Sequence, residues 1–408
     1  MWAAYTTDLM TGQLEKFIDI PSFSWTVTVN DSSMSTTKKK EVGLDDVTGI
    51  TLPWEAIPGD TPQEKFESIE SGRKGLALFW RTDEDVRSGS LGRPILWGGI
   101  GERESDWDST SFSLESVYSI MANRYCFREG DFKDGKSPGY LYYNKLSMRG
   151  IASEVGYTCT EQKPGGALPV DWQYRGELHQ PAEGNVHERT YEAWNVNNLS
   201  GKDIFDKLSQ VDDGVDMQWR PYLTEDGSHV RMLFVAGSDA DKYLGQNTVY
   251  QFSCFNGGGT MENIKVSYAL PYERVLGTGA GSDATTTTAI AEDLSLVQLA
   301  SNPYSLREYA FSDTNVEDAN LLKQQANGVL SSLRTPYMQI SGDYWLDDAG
   351  APQLGTIWPG EVAQLSLHGY PDLPDGVYQM RIMEMSGDSS SKVHVLFDIA
   401  PVPYFQGA

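Results

Sequence analysis

The sequence predicts an α+β, predominantly β fold, with two barrel-like β domains and intervening α+β and helical segments. Three observations carry this. Aromatic residues make up 11% of the 408 residues, with 11 Trp and 21 Tyr, a bias toward strands and interfaces rather than helical bundles. Short runs of period two recur near both ends of the chain, separated by turn-rich pieces. Stretches of helical period fall between them.

The strand signal is clearest in "FSWTVTVN", where Trp25, Val27 and Val29 alternate with Ser24, Thr26 and Thr28. "GITLPW", "KGLALFW", "PILWGGI" and "SFSLES" follow, divided by turns such as "PGDTPQ" and "SGSLG", the spacing of a small barrel or sandwich. At "VYSIMANRY" the period changes, so a short helix leaves the barrel. Residues 127–200 read as mixed and loop-rich. "SGKDIFDKLSQV" then reads as a helix capped by Ser200, with Ile204, Phe205 and Leu208 on one face and Asp203 near its positive end. "DMQWRPYL" and "HVRMLFVAG" are two strands joined by "TEDGS". Strands resume at "NTVYQFSCF", "ENIKVSYAL" and "ERVLGTGAG". The low-complexity "GSDATTTT" reads as a loop. A helix is predicted between Thr314 and Leu333, with Thr314 and Glu317 as its capping box, Leu322, Ala326, Val329, Leu330 and Leu333 on one face, and Pro336 beyond its end. The tail is strands again, "VAQLSLHG", "GVYQMRIMEMSG" and "SKVHVLFDIA".

These elements divide the chain into a barrel-like domain at 1–114, an α+β domain at 115–246, and a second barrel-like domain at 247–282 and 335–408. A loop and helix at 283–334 form an insertion. The two ends also resemble each other. Without gaps, "RPILWGGIGERES" and "GVYQMRIMEMSG" place Ile95 on Val377, Ile100 on Ile382 and Glu102 on Glu384, which suggests a pair of related barrels.

Charge and cysteine content exclude several classes. With 57 acids against 32 bases, the net charge is −25, the wrong sign for a phosphate-neutralising nucleic-acid binder. The triplet Lys38, Lys39 and Lys40 reads as a solvated loop. Cys126, Cys159 and Cys254 are odd in number and widely spaced, which fits neither a disulfide framework nor a zinc knuckle and points to assembly in a reducing cytoplasm. No apolar run is long enough to span a membrane.

Motifs for chemistry are few. The glycines of "WGGIG" lie before a polar, alternating stretch rather than a helix, so no nucleotide cofactor is expected. "ELHQPAEGNVHER" offers Glu177, His179, His187 and Glu188 as metal ligands. Its histidines stand eight residues apart with Pro181 and Gly184 between them, which reads as a solvated loop rather than a helical zinc motif, and no metal is expected. His229 and His394 fall in strands and His368 ends one, each without an evident partner. There is no GxSxG elbow and no cysteine beside a histidine, so no catalytic residue is assigned. Carboxylate pairs are too abundant to point anywhere. Trp25, Trp80 and Trp97 fit the core, whereas Trp54, Trp107 and Trp358 lie near turns and are candidates for contact with other chains. Gly98 and Gly101 join them, as places where a neighbouring chain's backbone could come close.

The order of these features resembles a known family. "ERVLGTGAGSD", "SNPYSLREYAFSDTNVEDANLLKQQANGVLSSLRTPYMQI", "GTIWPGEVAQLSL" and "GVYQMRIMEMSGD" resemble the C-terminal half of minor tail proteins of long-tailed phages of actinobacteria, of the tail-tip or baseplate hub family. "LPWEAIPGD", "GLALFWR", "RPILWGGIGERES" and "SFSLESVYSIMANRYCF" are similar to that family's first barrel and the helix leaving it. "DIFDKLSQ" and "DMQWRPYL" match its intervening domain, and residues 130–190 match least. The resemblance implies a non-enzymatic virion protein at the tail tip, assembled in the host cytoplasm as a homotrimeric ring. Its partners would be the distal tail protein or tail tube above, receptor-binding, spike or other minor tail proteins below, and the tape measure protein. Three chains with two barrels each would offer six quasi-equivalent barrels to a sixfold partner. Acids on the lumen wall would repel passing DNA within about 8–10 Å at physiological salt. Rival readings are a phage-associated glycan hydrolase using Asp or Glu, and a monomeric carbohydrate-binding module using exposed tryptophans.

Overall fold

In the computed structural model, residues 1–36, 49–179, 187–211, 214–246, 248–255, 257–314, 316–348 and 350–402 are described. The predominantly β, α+β class is what the chain adopts. The N-terminal region supplies β1 (Trp2–Asp8), β2 (Leu14–Ile18), β3 (Ser24–Thr28), β4 (Ser32–Ser35), β5 (Ile50–Pro53), β6 (Lys74–Trp80), β7 (Arg93–Ser105) and β8 (Ser109–Glu115). Six of them form an antiparallel sheet in the order β2-β1-β6-β7-β8-β5. The apolar run of β6 is explained by cover on both faces. Leu76, Leu78 and Trp80 join one core, while Ala77 and Phe79, with Trp97 of β7, join another.

Two short helices interrupt this region where turns were expected. In α1 (Pro62–Ser68), Thr61 and Glu64 form a capping box with Pro62 in the first turn. In α2 (Asp83–Ser88), Thr82 and Asp85 do the same. The signature Thr-x-x-Glu or Asp is in the sequence, but the helices are too short to show a periodic face.

The middle of the chain begins with α3 (Val117–Ile120), capped by Ser116 and leaving the first sheet as predicted. Next come β9 (Tyr140–Asn144), α4 (Met148–Cys159), β10 (Val170–Asp171), β11 (Glu188–Glu192), α5 (Gly201–Ser209), β12 (Met217–Leu223) and β13 (Val230–Ala236). β9 pairs with β11, and β13 lies between β10 and β12. α5 matches its prediction: Ser200 accepts from the Asp203 N–H at 3.1 Å, and Ile204, Phe205 and Leu208 are buried. The 12-residue α4 is absent from the sequence reading because it is built of small residues, including Gly150, Ser153, Gly156 and Thr158. Their reason is packing. A Cβ on Gly156 would lie 2.3 Å from the Trp172 ring.

The C-terminal region contains β14 (Tyr250–Phe255), β15 (Gly258–Gly259), β16 (Glu262–Ala269), β17 (Arg274–Thr278), β18 (Thr288–Glu292), β19 (Glu308–Ser312), α6 (Ala319–Leu333), β20 (Tyr337–Trp345), β21 (Val362–His368), β22 (Gly376–Asp388) and β23 (Lys392–Pro401). The main sheet runs β15-β14-β21-β22-β23-β20-β16. α6 covers a small sheet of β18-β17-β19, with Val275, Ala291, Ala326 and Leu330 as its core. Its N-cap is Asp318, which accepts from the Asn320 and Leu321 N–H groups, so the helix starts later than the expected Thr314 box. Leu322, Ala326 and Leu330 are buried on the predicted face.

Two elements sit elsewhere than the sequence reading placed them. β17, read as part of the second barrel, belongs to the small sheet under α6. β3, read as part of the first barrel, pairs antiparallel with β22, with Trp25 opposite Gly387 and Val27 opposite Met385, and β4 pairs with β3. An alternating pattern identifies a strand but not its partner. This crossing ties the two sheets together. Trp2 of β1 packs its ring 5.6 Å from Phe23, 5.5 Å from Trp25 and 5.0 Å from Trp80, and one core spans both sheets.

Candidate interface and histidine cluster

Gly98 and Gly101 lie in β7, and what approaches them is their own chain. A Cβ on Gly98 would stand 2.8 Å from the Glu115 carbonyl oxygen and 2.8 Å from Leu114 Cγ. At Gly101 it would stand 2.3 Å from Ser113 Oγ. All three neighbours belong to β8, so a close approach at both glycines is made within the chain itself. Between Ile100 and Arg103 the pairing of β7 with β8 also shifts by one residue, a β-bulge.

The three tryptophans separate. Trp107 is 98% exposed at the tip of the β7–β8 hairpin. That tip is held by the Asp106 carboxylate, which accepts from the Asp108 N–H at 2.8 Å and the Ser109 N–H at 2.7 Å. Trp54 is half-buried, packs on the main core and donates its indole N–H to the Asp106 carbonyl at 3.0 Å. Trp358 is only 7% exposed and belongs to the main core, so its contacts are internal. Trp194 and Phe17, which the sequence reading did not single out, are exposed. Trp25, Trp80 and Trp97 are buried as expected. The Lys38–Lys40 triplet lies outside the described residues.

The turn "IWPGE" before β21 has a structural role. Gln218 of β12 donates to the Pro359 carbonyl at 3.1 Å and to the Thr28 carbonyl at 3.3 Å. Arg220 pairs with Glu361 at 2.8 Å, and Glu361 accepts from the Trp358 N–H at 3.1 Å. Burial pushes the Glu361 carboxyl above its usual range, against the pull of Arg220. Arg381 of β22 pairs with Asp216, whose carboxyl burial likewise raises, again opposed by the arginine. Ion pairs and side-chain hydrogen bonds therefore join the middle domain to the second sheet, while against the first it shares an apolar core, flanked by backbone bonds from Leu14 to Ser228 and from Val230 to Gly12.

The paired cysteines and the other histidines have structural partners. Cys126 and Cys159 are buried beside each other, and the hydrogen bond between them, with burial, pushes the Cys126 thiol well up, away from a reactive thiolate. His394 bonds Asp343 across strands at 2.7 Å, and His229 bonds the neighbouring Ser228 hydroxyl at 2.6 Å. His368 stands 3.5 Å from Asp375.

His179 and His187, which the sequence reading set aside, come together. Their rings lie 4.6 Å apart, and both face Asp239, with His179 Nδ1 2.7 Å from Oδ2 and His187 Nε2 3.2 Å from Oδ1. Both histidines are anchored to one residue: the His179 N–H donates to the Lys145 carbonyl at 2.8 Å, and the Lys145 N–H donates to the His187 carbonyl at 3.2 Å. Lys145 adopts a left-handed φ of 64° there. Glu177 and Glu188 turn elsewhere, Glu177 to Arg149 at 2.7 and 2.9 Å, and Glu188 to the Tyr142 hydroxyl at 2.8 Å. Asp239 follows β13, 60 and 52 residues from the two histidines. No local motif marks it, because the fold alone brings it there.

No family model and no curated protein matches the chain. Among solved structures it is similar to the 43 kDa tail protein of prophage MuSo2 from Shewanella oneidensis, at 10% identity and a TM-score of 0.48, covering 98% of each chain. It is also similar to a tail protein from Neisseria meningitidis, at 11% identity and 0.43, covering 97% of this chain and 96% of that one. A prophage tail protein from Listeria monocytogenes follows at 10% and 0.40, covering 97% and 94%. No helix among the described residues is long and apolar enough to cross a membrane.

Proposed function

We propose that the chain is a structural protein of a phage virion: the tail-tip, or baseplate, hub of a long-tailed phage of actinobacteria, acting as a homotrimeric ring without enzymatic activity. The observation that carries this is an internal repeat. β6-β7-β8-β5 and β21-β22-β23-β20 follow the same neighbour order. Each has a central strand of 13 residues. Each central strand is bulged directly after the isoleucine that ungapped comparison aligns, Ile100 in one and Ile382 in the other. Two like sheets per chain are what a trimer needs to offer six similar surfaces to a sixfold tube or distal tail protein. The family resemblance of the ordered motifs supports the same reading, with receptor-binding, spike or other minor tail proteins below and the tape measure protein within reach of the channel.

Trp107 is the contact residue this reading favours, being a large aromatic side chain presented on a fixed hairpin tip. Imaging of the intact particle tests the function directly, with three copies in a ring at the tail tip as the expected result. One copy, or a location along the tube wall, overturns it. Trp107→Ser should leave the melting temperature of the isolated protein unchanged and reduce its incorporation into particles.

A further inference from the structure

We propose that His179, His187 and Asp239 form a binding site for a divalent transition ion of the zinc class, held by three protein ligands and completed by water. The ligand atoms of the three side chains all lie within 4.8 Å of one another. Around a tetrahedral zinc with bonds of about 2.0–2.1 Å, pairs of ligand atoms stand about 3.3 Å apart. His179 Nδ1 stands 2.7 Å from Oδ2 and His187 Nε2 3.2 Å from Oδ1 of Asp239, so both imidazole nitrogens already converge on the one carboxylate. The two imidazole nitrogens lie within 4.8 Å of each other.

The surroundings are those of a built site rather than a chance encounter of surface side chains. Side-chain exposure is 12% for each histidine and 5% for Asp239. The backbone bonds of both histidines to Lys145 fix the distance that the eight-residue sequence spacing left open. Asp239 Oδ1 also accepts the Met148 N–H at 3.0 Å, at the start of α4, which orients the carboxylate as outer-shell bonds orient metal ligands. The nearby Arg149 is engaged by its two bonds to Glu177. Two imidazoles and one carboxylate suit zinc and its first-row neighbours and do not suit calcium or magnesium, which take oxygen ligands. A bound ion would clamp the chain on either side of residues 180–186 to the loop after β13 and to the start of α4.

The test is zinc alone, added to the full-length chain after chelator treatment and dialysis. The expected result is one zinc per chain, a thermal transition that rises with zinc concentration, and tetrahedral visible absorption when cobalt replaces zinc. His187→Gln and Asp239→Asn should each weaken zinc binding by more than the roughly 10–100-fold that outer-shell changes cost. Both should abolish the zinc-dependent rise in melting temperature. Circular dichroism matching the wild type establishes that either variant is folded, so one folded variant suffices. A wild-type chain that takes up no zinc at concentrations of about 100 μM overturns the proposal, leaving a cluster held by hydrogen bonds only. Variants that bind zinc as tightly as the wild type overturn it equally.

Discussion

The two sheets share an order of strands and a bulge, yet their central strands meet the rest of the chain differently. β7 carries glycine at 98, 99 and 101, where the ungapped comparison puts Met380, Arg381 and Met383 of β22. A Cβ on Gly99 would lie 2.9 Å from Leu9 and 3.4 Å from Ile120, so the first sheet is pressed against apolar neighbours. At the matching position, Arg381 reaches out to Asp216 and, at 3.5 Å, to Asp398. The second sheet also holds a segment the first lacks, the β3–β4 hairpin on the far half of β22. One strand plan thus serves as a buried wall on one side and a polar joint on the other. The difference is written in side-chain size at a few positions of the central strand.

The largest effect should come from removing the link between the sheets. Trp25 is 1% exposed and packs against Trp2 across the junction. Trp25→Ala should cost about 4 kcal/mol, the usual range for a buried aromatic truncated to alanine, read as a fall in the denaturant midpoint. If the β3–β4 hairpin is only an ornament on the second sheet, the loss will be far smaller.

Breaking the polar joint should come next. Glu361→Ala removes the ion partner of Arg220 and the acceptor of the Trp358 N–H, and removing one member of a buried ion pair costs about 3 kcal/mol. Glu361→Gln, which keeps an acceptor for that N–H, should cost clearly less. Equal losses would mean that the charge, and not the acceptor, holds the turn. Gly98→Val probes the other side. Overpacking against Glu115 and Leu114 should destabilise the isolated chain by about 2 kcal/mol in chemical denaturation. A variant with unchanged stability but failed assembly would return Gly98 to an interface between chains.

What the sequence made legible follows from how local each signal is. Ser200 with its helical face, the paired strands after it, and the buried face of α6 are all set within a few residues, and they stand as read. Trp25 was legible as core because its alternation is local, but its partner strand lies more than 350 residues away and no pattern announces it. α4 hid because close packing on Trp172 selects glycine where a helix signal would need alanine or leucine. The histidines failed a test designed for a helix, and their real frame is backbone bonding to Lys145. Asp239 could not be found from spacing, and Trp358, near a turn in sequence, is covered by the fold.

The smallest effect separates the joint from the second sheet by pH. Burial raises the carboxyls of Glu361 and Asp216 above their unfolded values, so the folded chain binds protons there more readily than the unfolded one. Their contribution to stability is therefore fully present below about pH 4 and is lost as pH rises through their folded values. Asp343 of β20 has the opposite sign. Burial works to raise it, but hydrogen bonds from Lys392, His394 and Asn263 prevail and hold it below its unfolded value. Its contribution is present above about pH 4 and is lost as pH falls through the lower folded value. Thermal melts from pH 7 downward should thus show the joint gaining strength on mild acidification, before the cross-strand ladder weakens at stronger acid. Glu361→Gln should flatten the first change and leave the second, while Asp343→Asn should do the reverse. If one substitution flattened both, the joint and the ladder would titrate as one unit, and the separation drawn between the two parts of the second sheet would fail.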